Sequence, residues 1–589
     1  MKSLMTGNEA IARGAYEAGV TVASAYPGTP STEIMENYSK YEGSHAEWAP
    51  NEKVACEVAA GASIRGARTF AAMKHVGLNV AADGFMSYAY HVTNGGYVLI
   101  TADEPNMFSS QNEQDNRYYA LFGKTGLVEP SNSQECIDYM KEAFEISEKF
   151  KTPVVLRITT RVCHSKSIVE LNDRITPPIK EYVRNQHNNL MVPANSRTRH
   201  PEIEEERLGG MREYSNNCKL NTIEMNSTKI GIITSGVSYM YAKEVMGTDA
   251  SYLKIGFSNP LPDKMIKEFA SKVDTLYIIE ENEPFMEMQI KAMGIACHGK
   301  DLFPICGEFS PELLRKILKG EEVTSVYTTE MQAPPRPPVL CAGCPHRGFF
   351  YELGKYRNKA FFSGDIGCYT LGAGAPLNAL DTTICMGGSI TGAHGFIKAC
   401  EYAEDTSKKA FAMIGDSTFF HSGITGLMNT VYNNAPVTTV ILDNSITAMT
   451  GHQENPGTGK NIRGEETTQL QLEPLCFACG IKKENLIVVD PYDLKATKEA
   501  LKKGYEATEP FVIITRRPCA LLKPVAKQRA AIKCVIDSEK CRNCKACLKS
   551  GCPALIAGEK FVSIDSDQCN GCGVCMQICP FDAIERIGE

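Results

Sequence analysis

The tail of the chain constrains its fold and chemistry most. Eight of the 23 cysteines fall between Cys541 and Cys579. They form two runs: Cys541, Cys544 and Cys547 followed by Cys552-Pro553, and Cys569, Cys572 and Cys575 followed by Cys579-Pro580. Three thiolates spaced by two residues wrap one face of an iron–sulfur cubane, and the cysteine beside a proline reaches across to the cluster of the other half. The spacing predicts one [4Fe–4S] cluster on Cys541, Cys544, Cys547 and Cys579, and a second on Cys569, Cys572, Cys575 and Cys552. The first run has four residues before its Cys-Pro where the second has three, a difference that a longer loop absorbs. Zinc sites use separated Cys-x-x-Cys pairs instead of triplets with a trailing Cys-Pro, so a zinc scaffold is the weaker alternative.

Such a module wires electrons for chemistry done elsewhere, and 589 residues leave ample room for it. At about 150 residues per domain, roughly four domains are expected. The composition, 43% hydrophobic and 22% charged, is that of folded globular protein. A net charge of -7 and a pI near 6.0 lack the basic domain of a nucleic-acid binder. No run approaches the ~18 apolar residues of a membrane span. The segment Met1–Gly19 carries Glu9 and Glu17 and no apolar core, so it reads as the start of a folded domain and not as a secretory signal. Thiolates reserved for metal fit a reducing cytoplasm.

Helical and strand patterns alternate over residues 1–164, as in an α/β domain with a parallel sheet. Asn8 is placed to cap a helix over Glu9–Ala18, Thr21–Tyr26 reads as a strand ending in Pro27-Gly28-Thr29-Pro30, and Val54–Gly66 reads as a tightly packed helix. Tyr97–Thr101 and Pro153–Ile158 read as buried strands. Residues 165–228, rich in Asn, Arg, Glu and Pro, read as a surface connector with one helix at most. A second α/β unit is expected over 229–325, a stiff Pro-rich linker over 326–337, a third α/β domain over 338–525, and the cysteine module over 530–589.

In the third domain the apolar strand Phe411–Ile414 runs into Gly415-Asp416-Ser417, and Val437–Leu442 runs into Asp443-Asn444. This is the spacing of a thiamine diphosphate site. Mg²⁺ takes hard oxygen ligands and shares them with a diphosphate. Asp416 offers a carboxylate, Asn444 an amide oxygen and Ile446 a main-chain carbonyl. Gly415 lets the backbone approach the diphosphate, and the N–H groups that follow can bind its oxygens.

Tyr26-Pro-Gly-Thr-Pro-Ser-Thr32, Cys341-Ala-Gly-Cys-Pro-His-Arg347, Gly364-Asp-Ile-Gly-Cys368, Gly415-Asp-Ser417, Leu442-Asp-Asn444 and the terminal two-cluster module together resemble the 2-oxoacid:ferredoxin oxidoreductases over essentially the whole chain. The resemblance implies a multidomain α/β fold. Residues 1–164 would be a pyrimidine-binding domain, 229–325 a transketolase C-terminal-like domain, 338–525 a diphosphate-binding domain and 530–589 a two-[4Fe–4S] ferredoxin domain. The family's γ-type domain has no counterpart, which implies a separate smaller β subunit and a dimer of heterodimers. The implied reaction is oxidative decarboxylation of a 2-oxo acid with Mg²⁺ and thiamine diphosphate through an enamine, electrons passing to an external ferredoxin and the acyl group to coenzyme A. The likeness runs most strongly to members acting on arylpyruvates such as indole-3-pyruvate. The same chemistry on another 2-oxo acid, and an electron-transfer subunit without turnover, are the alternatives.

The resemblance also assigns roles. A buried carboxylate protonates the cofactor pyrimidine; Glu57, on a helix followed by small residues, matches it, with Glu52 as runner-up. Thr29 matches a residue that hydrogen-bonds the substrate carboxylate. Cys344, His346, Gly367, Gly415, Asp416, Ser417 and Asn444 fall at cofactor-binding positions. The arginine that binds pyruvate in relatives should follow Tyr97–Thr101, yet this chain reads Ala102-Asp103-Glu104. That departure argues against pyruvate and leaves His75 and Arg117 as candidates for the carboxylate. Cys341, Cys344, Cys368 and Cys519 match the ligands of a third, proximal [4Fe–4S] cluster.

Overall fold

A computed structural model describes residues 1–322, 329–334, 336–405 and 407–588. The chain divides into two compact units, Met1–Glu330 and Met331–Glu589. Part of the expected Pro-rich linker, 326–328 and 335, lies outside the described residues. Among the described residues, no helix is long and apolar enough to cross a membrane.

The first unit is built on a seven-stranded sheet in the order Phe257–Asn259, Gly126–Val128, Val154–Thr159, Tyr97–Asp103, Thr69–Lys74, Val22–Ala25, His45–Trp48. All neighbours run parallel except Phe257–Asn259. Thr69–Lys74, Tyr97–Asp103 and Val154–Thr159 are buried along their whole length, as expected of parallel strands covered on both faces. The first helix spans Gly7–Glu17 and is capped by Thr6, not Asn8. Thr6 Oγ1 accepts from Glu9 N at 3.1 Å, and Glu9 Oε2 accepts from Thr6 N at 2.7 Å, a reciprocal capping box. Asn8 instead donates to the Pro30 carbonyl at 2.7 Å and to Glu33 at 3.0 Å, tying this helix to the Tyr26–Thr32 turn. The Glu52–Arg65 helix is capped by Asn51 and stops at Gly66, whose φ of 104° is costly for other residues.

Residues 165–228 carry more structure than a surface connector. Lys166–Glu170 pairs antiparallel with Lys2–Thr6. Helical segments span Pro193–Pro201, Glu202–Arg207 and Leu208–Asn217. Their polar sequence hides the pattern, because few positions, Ile203 and Met211 among them, carry the apolar contact. A second sheet runs Thr275–Ile279, Ile230–Thr234, Ser251–Lys254, Thr222–Glu224. Its edge strand, Thr222–Glu224, lies in the expected connector. Conversely Phe257–Asn259, expected in the second domain, edges the first sheet. One core joins the two, with Leu127 and Val155 beside Ile233, Leu253 and Ile278.

The second unit holds a six-stranded parallel sheet ordered Thr382–Thr383, Ala360–Gly364, Lys409–Gly415, Val437–Asp443, Phe511–Arg516, Leu486–Val489. The cysteine tail folds around two short antiparallel strand pairs, Lys533–Ile536 with Ile584–Ile587 and Leu555–Ile556 with Ser563–Ile564. It is fastened to the body. Gln577 accepts from Leu494 N at 3.0 Å and donates to Tyr492 O at 2.7 Å. Arg529 donates to the Gly571 carbonyl at 2.8 Å. The Asn570 side chain fills the space beside Gly343, where a Cβ would fall 2.0 Å from its Nδ2.

Candidate functional site

In open parallel sheets, ligands collect beyond the carboxyl ends of the strands. Lys409–Gly415 and Val437–Asp443 are neighbours with Gly415 opposite Leu442. Asp416 and Asn444 therefore leave the sheet side by side. Asn444 Oδ1 stands 3.3 Å from Asp416 Oδ1 and 2.7 Å from the Ile446 carbonyl oxygen. Three oxygens turned on one another repel unless a cation lies among them or the amide rotates. Ile446 N, donating to Asn444 Oδ1 at 3.3 Å, favours the oxygen. This donor set fits Mg²⁺. Burial, with Asp443 adjacent, pushes the Asp416 carboxyl up to about 8; a cation would bring it down. Arg516 balances Asp443 at 2.7 Å and also holds Glu473. Ser417 Oγ accepts from Thr447 Oγ1 at 2.9 Å. A cavity of about 220 Å³ opens here, lined by Asp416, Asp443, Ser445, Gly457 and Arg516.

Tyr369, unassigned from sequence, links the remaining cofactor positions. A Cβ on Gly367 or on Gly415 would fall 2.4 or 2.7 Å from its ring. Its hydroxyl donates to the Ile366 carbonyl at 2.9 Å and lies 3.3 Å from Thr418 Oγ1. The His346 ring meets it edge-on at 6.1 Å. Burial lowers His346 to about 4, so the imidazole is neutral. Asp365, also missed, accepts from Gly387 N at 2.9 Å and Ser389 N at 3.0 Å and anchors the start of the Gly388–Tyr402 helix. A lone acid at the end of an apolar strand was the available signal. Tyr369 gave none, since its role arises from two glycines far apart in sequence.

Cys341, Cys344, Cys368 and Cys519 lie within electrostatic reach of one another. Burial lifts the Cys344 thiol to about 12, with Cys368 and Cys341 adding. Burial lifts Cys368 to about 11, with Cys519 and Cys341 adding. Cys519 N donates to the Asn444 carbonyl at 2.9 Å, so this group adjoins the magnesium-type site. In the tail, Cys547 neighbours Cys579 and Cys544, and Cys572 neighbours Cys552 and Cys569. Each trailing cysteine therefore lies beside the opposite run, and Cys534 also lies against Cys569 and Cys575. Backbone N–H groups already point at the sulfurs: Cys534 N at 3.3 Å and Gly571 N at 3.4 Å from Cys569 Sγ, and Ala583 N at 3.4 Å from Cys579 Sγ. Such donors suit cluster sulfurs. Among the described residues, no three His, Cys, Asp or Glu side chains close on a single metal ion. A cubane holds its thiolates further apart than one ion does.

In the first unit two side chains stand in surroundings other than those expected. Glu57 is exposed and pairs with Lys53. Glu52, Ala55, Cys56, Ala59 and Ser63 line the buried face of the helix, and the helical period turns Glu57 away from it. Its neighbour Gly61 faces open space, with nothing within 4 Å of an added Cβ. Glu52 is 5% exposed and packs against Gly77, where a Cβ would fall 2.6 Å from Oε1. Arg117 is also not available to a substrate. It is fully engaged by Asp115 at 2.8 Å, Glu280 at 2.6 Å and the Glu281 carbonyl at 3.0 Å.

Thr29 and His75 do fall at one sheet edge, after Val22–Ala25 and Thr69–Lys74. Thr29 is half-buried in a turn held by Gly28 N donating to Thr32 Oγ1 at 2.9 Å. His75 is fully buried, its Nε2 3.2 Å from the Asn112 carbonyl and its Nδ1 without a hydrogen bond. Burial lowers its pKa. Sequence reading missed Lys74, a buried cation ending an otherwise apolar strand. It lies against Gly28, whose added Cβ would fall 2.9 Å from Lys74 Cβ. Its Nζ stands 3.3 Å from Glu104 and donates to the Ser109 carbonyl at 3.0 Å.

Comparison with known proteins matches residues 13–225 to the family described as pyruvate flavodoxin/ferredoxin oxidoreductase, thiamine diP-bdg. Residues 365–515 match thiamine pyrophosphate enzyme, C-terminal TPP binding domain, and 562–585 match 4Fe-4S binding domain. The chain is 40% identical to indolepyruvate oxidoreductase subunit IorA of Methanothermobacter marburgensis, over 99% of this chain and 97% of that one. It is 42% identical to the Thermococcus kodakarensis protein of the same name, over 100% and 97%. Among solved structures, 2-oxoglutarate:ferredoxin oxidoreductase from Magnetococcus marinus matches with a TM-score of 0.46 and 18% identity, covering 54% of this chain and 65% of that one.

Proposed function

The chain belongs to the family of indolepyruvate oxidoreductase IorA (alpha) subunits, thiamine diphosphate-dependent 2-oxoacid:ferredoxin oxidoreductases, and from that premise we propose that it carries out coenzyme A-dependent oxidative decarboxylation of arylpyruvates. The products are carbon dioxide, an arylacetyl-CoA and two electrons per turnover for an external ferredoxin. The observation that carries the reading is the oxygen triad of Asp416, Asn444 and Ile446 in the same compact unit as the iron–sulfur tail.

Thiamine diphosphate, when bound, supplies the carbanion chemistry at the keto carbon. The chain's own residues hold and orient it. Asp416, Asn444 and the Ile446 carbonyl take the Mg²⁺, Gly415 and Ser417 admit the diphosphate, and Cys344, His346 and Gly367 complete the surround. Neutral His346 adds shape without charge. Glu57 holds the proton at the pyrimidine nitrogen. Its small-residue helix face, open at Gly61, supports that role. Thr29 takes the substrate carboxylate, with His75 and Lys74 behind it. Cys341, Cys344, Cys368 and Cys519 hold a proximal cluster, and the tail holds two more. The smaller subunit completes the enzyme as a dimer of heterodimers.

The test is anaerobic turnover of the two-subunit enzyme with a panel of 2-oxo acids. Indole-3-pyruvate or phenylpyruvate with coenzyme A should reduce a viologen dye and yield the arylacetyl-CoA by mass spectrometry. Faster turnover of a branched-chain or simple 2-oxo acid would shift the substrate assignment. No arylacyl-CoA from any arylpyruvate would overturn it.

A further inference from the structure

The two halves of the tail face different surroundings. The second half is held by the body: Cys572 lies in one apolar cluster with Tyr492, Leu494, Val574 and Ile578, and Cys575 is buried. The first half presents Cys544 to solvent. The first half also touches the body, through Ala546 in the same apolar cluster and the Ser550 carbonyl, which accepts from Arg347 Nη1 at 2.8 Å, but Arg542, Cys544 and Lys545 face solvent.

The charge within the two runs differs as well, although Arg529, Lys533 and Arg586 reach the second run from outside it and donate to its carbonyls. From Glu539 to Ser550 there are four cations, Lys540, Arg542, Lys545 and Lys549, against one carboxylate. From Asp565 to Ile578 there are two carboxylates and no cation. Lys540 is neutralised by Glu585 at 2.9 Å and Asp537 at 3.3 Å. Arg542, Lys545 and Lys549 are exposed, and none of the three has an ion pair in the described structure. Arg542 and Lys545 flank exposed Cys544. Lys545 sits at φ 58°, a conformation a lysine rarely adopts and a loop wrapped on a cluster would require. Unpaired cations around a redox loop, on a chain whose net charge is -7, form a local attractor on a surface that otherwise repels anions.

We propose that Arg542, Lys545 and Lys549 form the docking surface for an acidic one-electron carrier protein, which takes electrons one at a time from the cluster of Cys541, Cys544, Cys547 and Cys579. This rests on the two-cluster reading of the tail. Charge of this kind acts mainly on encounter, so its loss raises the KM for the carrier and removes its salt dependence.

The experiment uses the two-subunit holoenzyme, a purified ferredoxin of net negative charge, and a small viologen as a second acceptor. R542E/K545E/K549E should raise the KM for ferredoxin about tenfold or more at low salt, with little further change as KCl is added. Viologen reduction should stay at the wild-type rate. The neutral variant R542Q/K545Q should fall between, and covers the case in which triple reversal disturbs the loop. An unchanged ferredoxin KM in both variants overturns the proposal. So does a variant that no longer co-purifies with the smaller subunit, since the patch would then be a subunit interface. If the wild-type enzyme reduces neither acceptor, the function above fails instead, and the two failures are distinct.

Discussion

At Glu57, charge and position can be separated experimentally. Glu57→Gln keeps the shape and removes the proton-holding group. Dye-coupled decarboxylation should fall by at least about a hundredfold, while the cluster absorbance and the melting temperature stay put, because the side chain is exposed. A variant that retains activity would move the role to buried Glu52. His75 gives a pH test. Burial holds its folded-state pKa below the ordinary imidazole value of about 6.5. As pH falls through that value the unfolded chain takes the proton first, so stability present above it is lost below it. His75→Gln should flatten the drop in melting temperature between about pH 7 and about pH 5, whereas an unchanged slope would mean that the ring is not the group responsible. Legibility differed sharply among residues. The side-by-side placement of Asp416 and Asn444 could be read because each follows an apolar strand. Arg117 could not be dismissed, because its partner Glu280 lies far along the sequence. Glu57 was assigned from its neighbours, and only the helix's buried face revealed which way it points.

Among elements, the loop Cys341–Cys344 and the tail loop around Asn570 are the sharpest juxtaposition. Gly343 has φ 67° and no room for a Cβ. Gly343→Ala should therefore force the two loops apart. Iron per chain should stay the same, while reduction of the tail clusters after mixing with substrate, followed by stopped-flow absorbance, should slow severalfold. Wild-type kinetics in this variant would show that the contact does not set the electron path. Long buried strands were legible from their apolar runs. Phe257–Asn259 was not, since three residues carry no period and its place in the first sheet depends on Gly126–Val128. The helices of residues 193–217 were missed because their apolar contacts are sparse.

For the molecule as a whole, the count of metal decides the wiring. Anaerobically purified chain should carry about twelve irons and one thiamine diphosphate if the body cysteines hold a cluster, and about eight irons if only the tail does. Cys368→Ser should remove the body's iron and spare the tail's; an unaltered count would return Cys341, Cys344, Cys368 and Cys519 to packing. The motifs fall in the same order as the matched segments 13–225, 365–515 and 562–585, but the shared core of the first two sheets was not readable, because interlocked edges leave no mark in composition. The seating of Asn570 on Gly343, with Gln577 bonded to both sides of Tyr492–Leu494, has a kinetic consequence. A module fixed in this way cannot work as a tethered shuttle that swings between donor and acceptor. Its internal hops occur at constant separation, so their rate should be indifferent to solvent viscosity, and glycerol should slow only the arrival of the carrier.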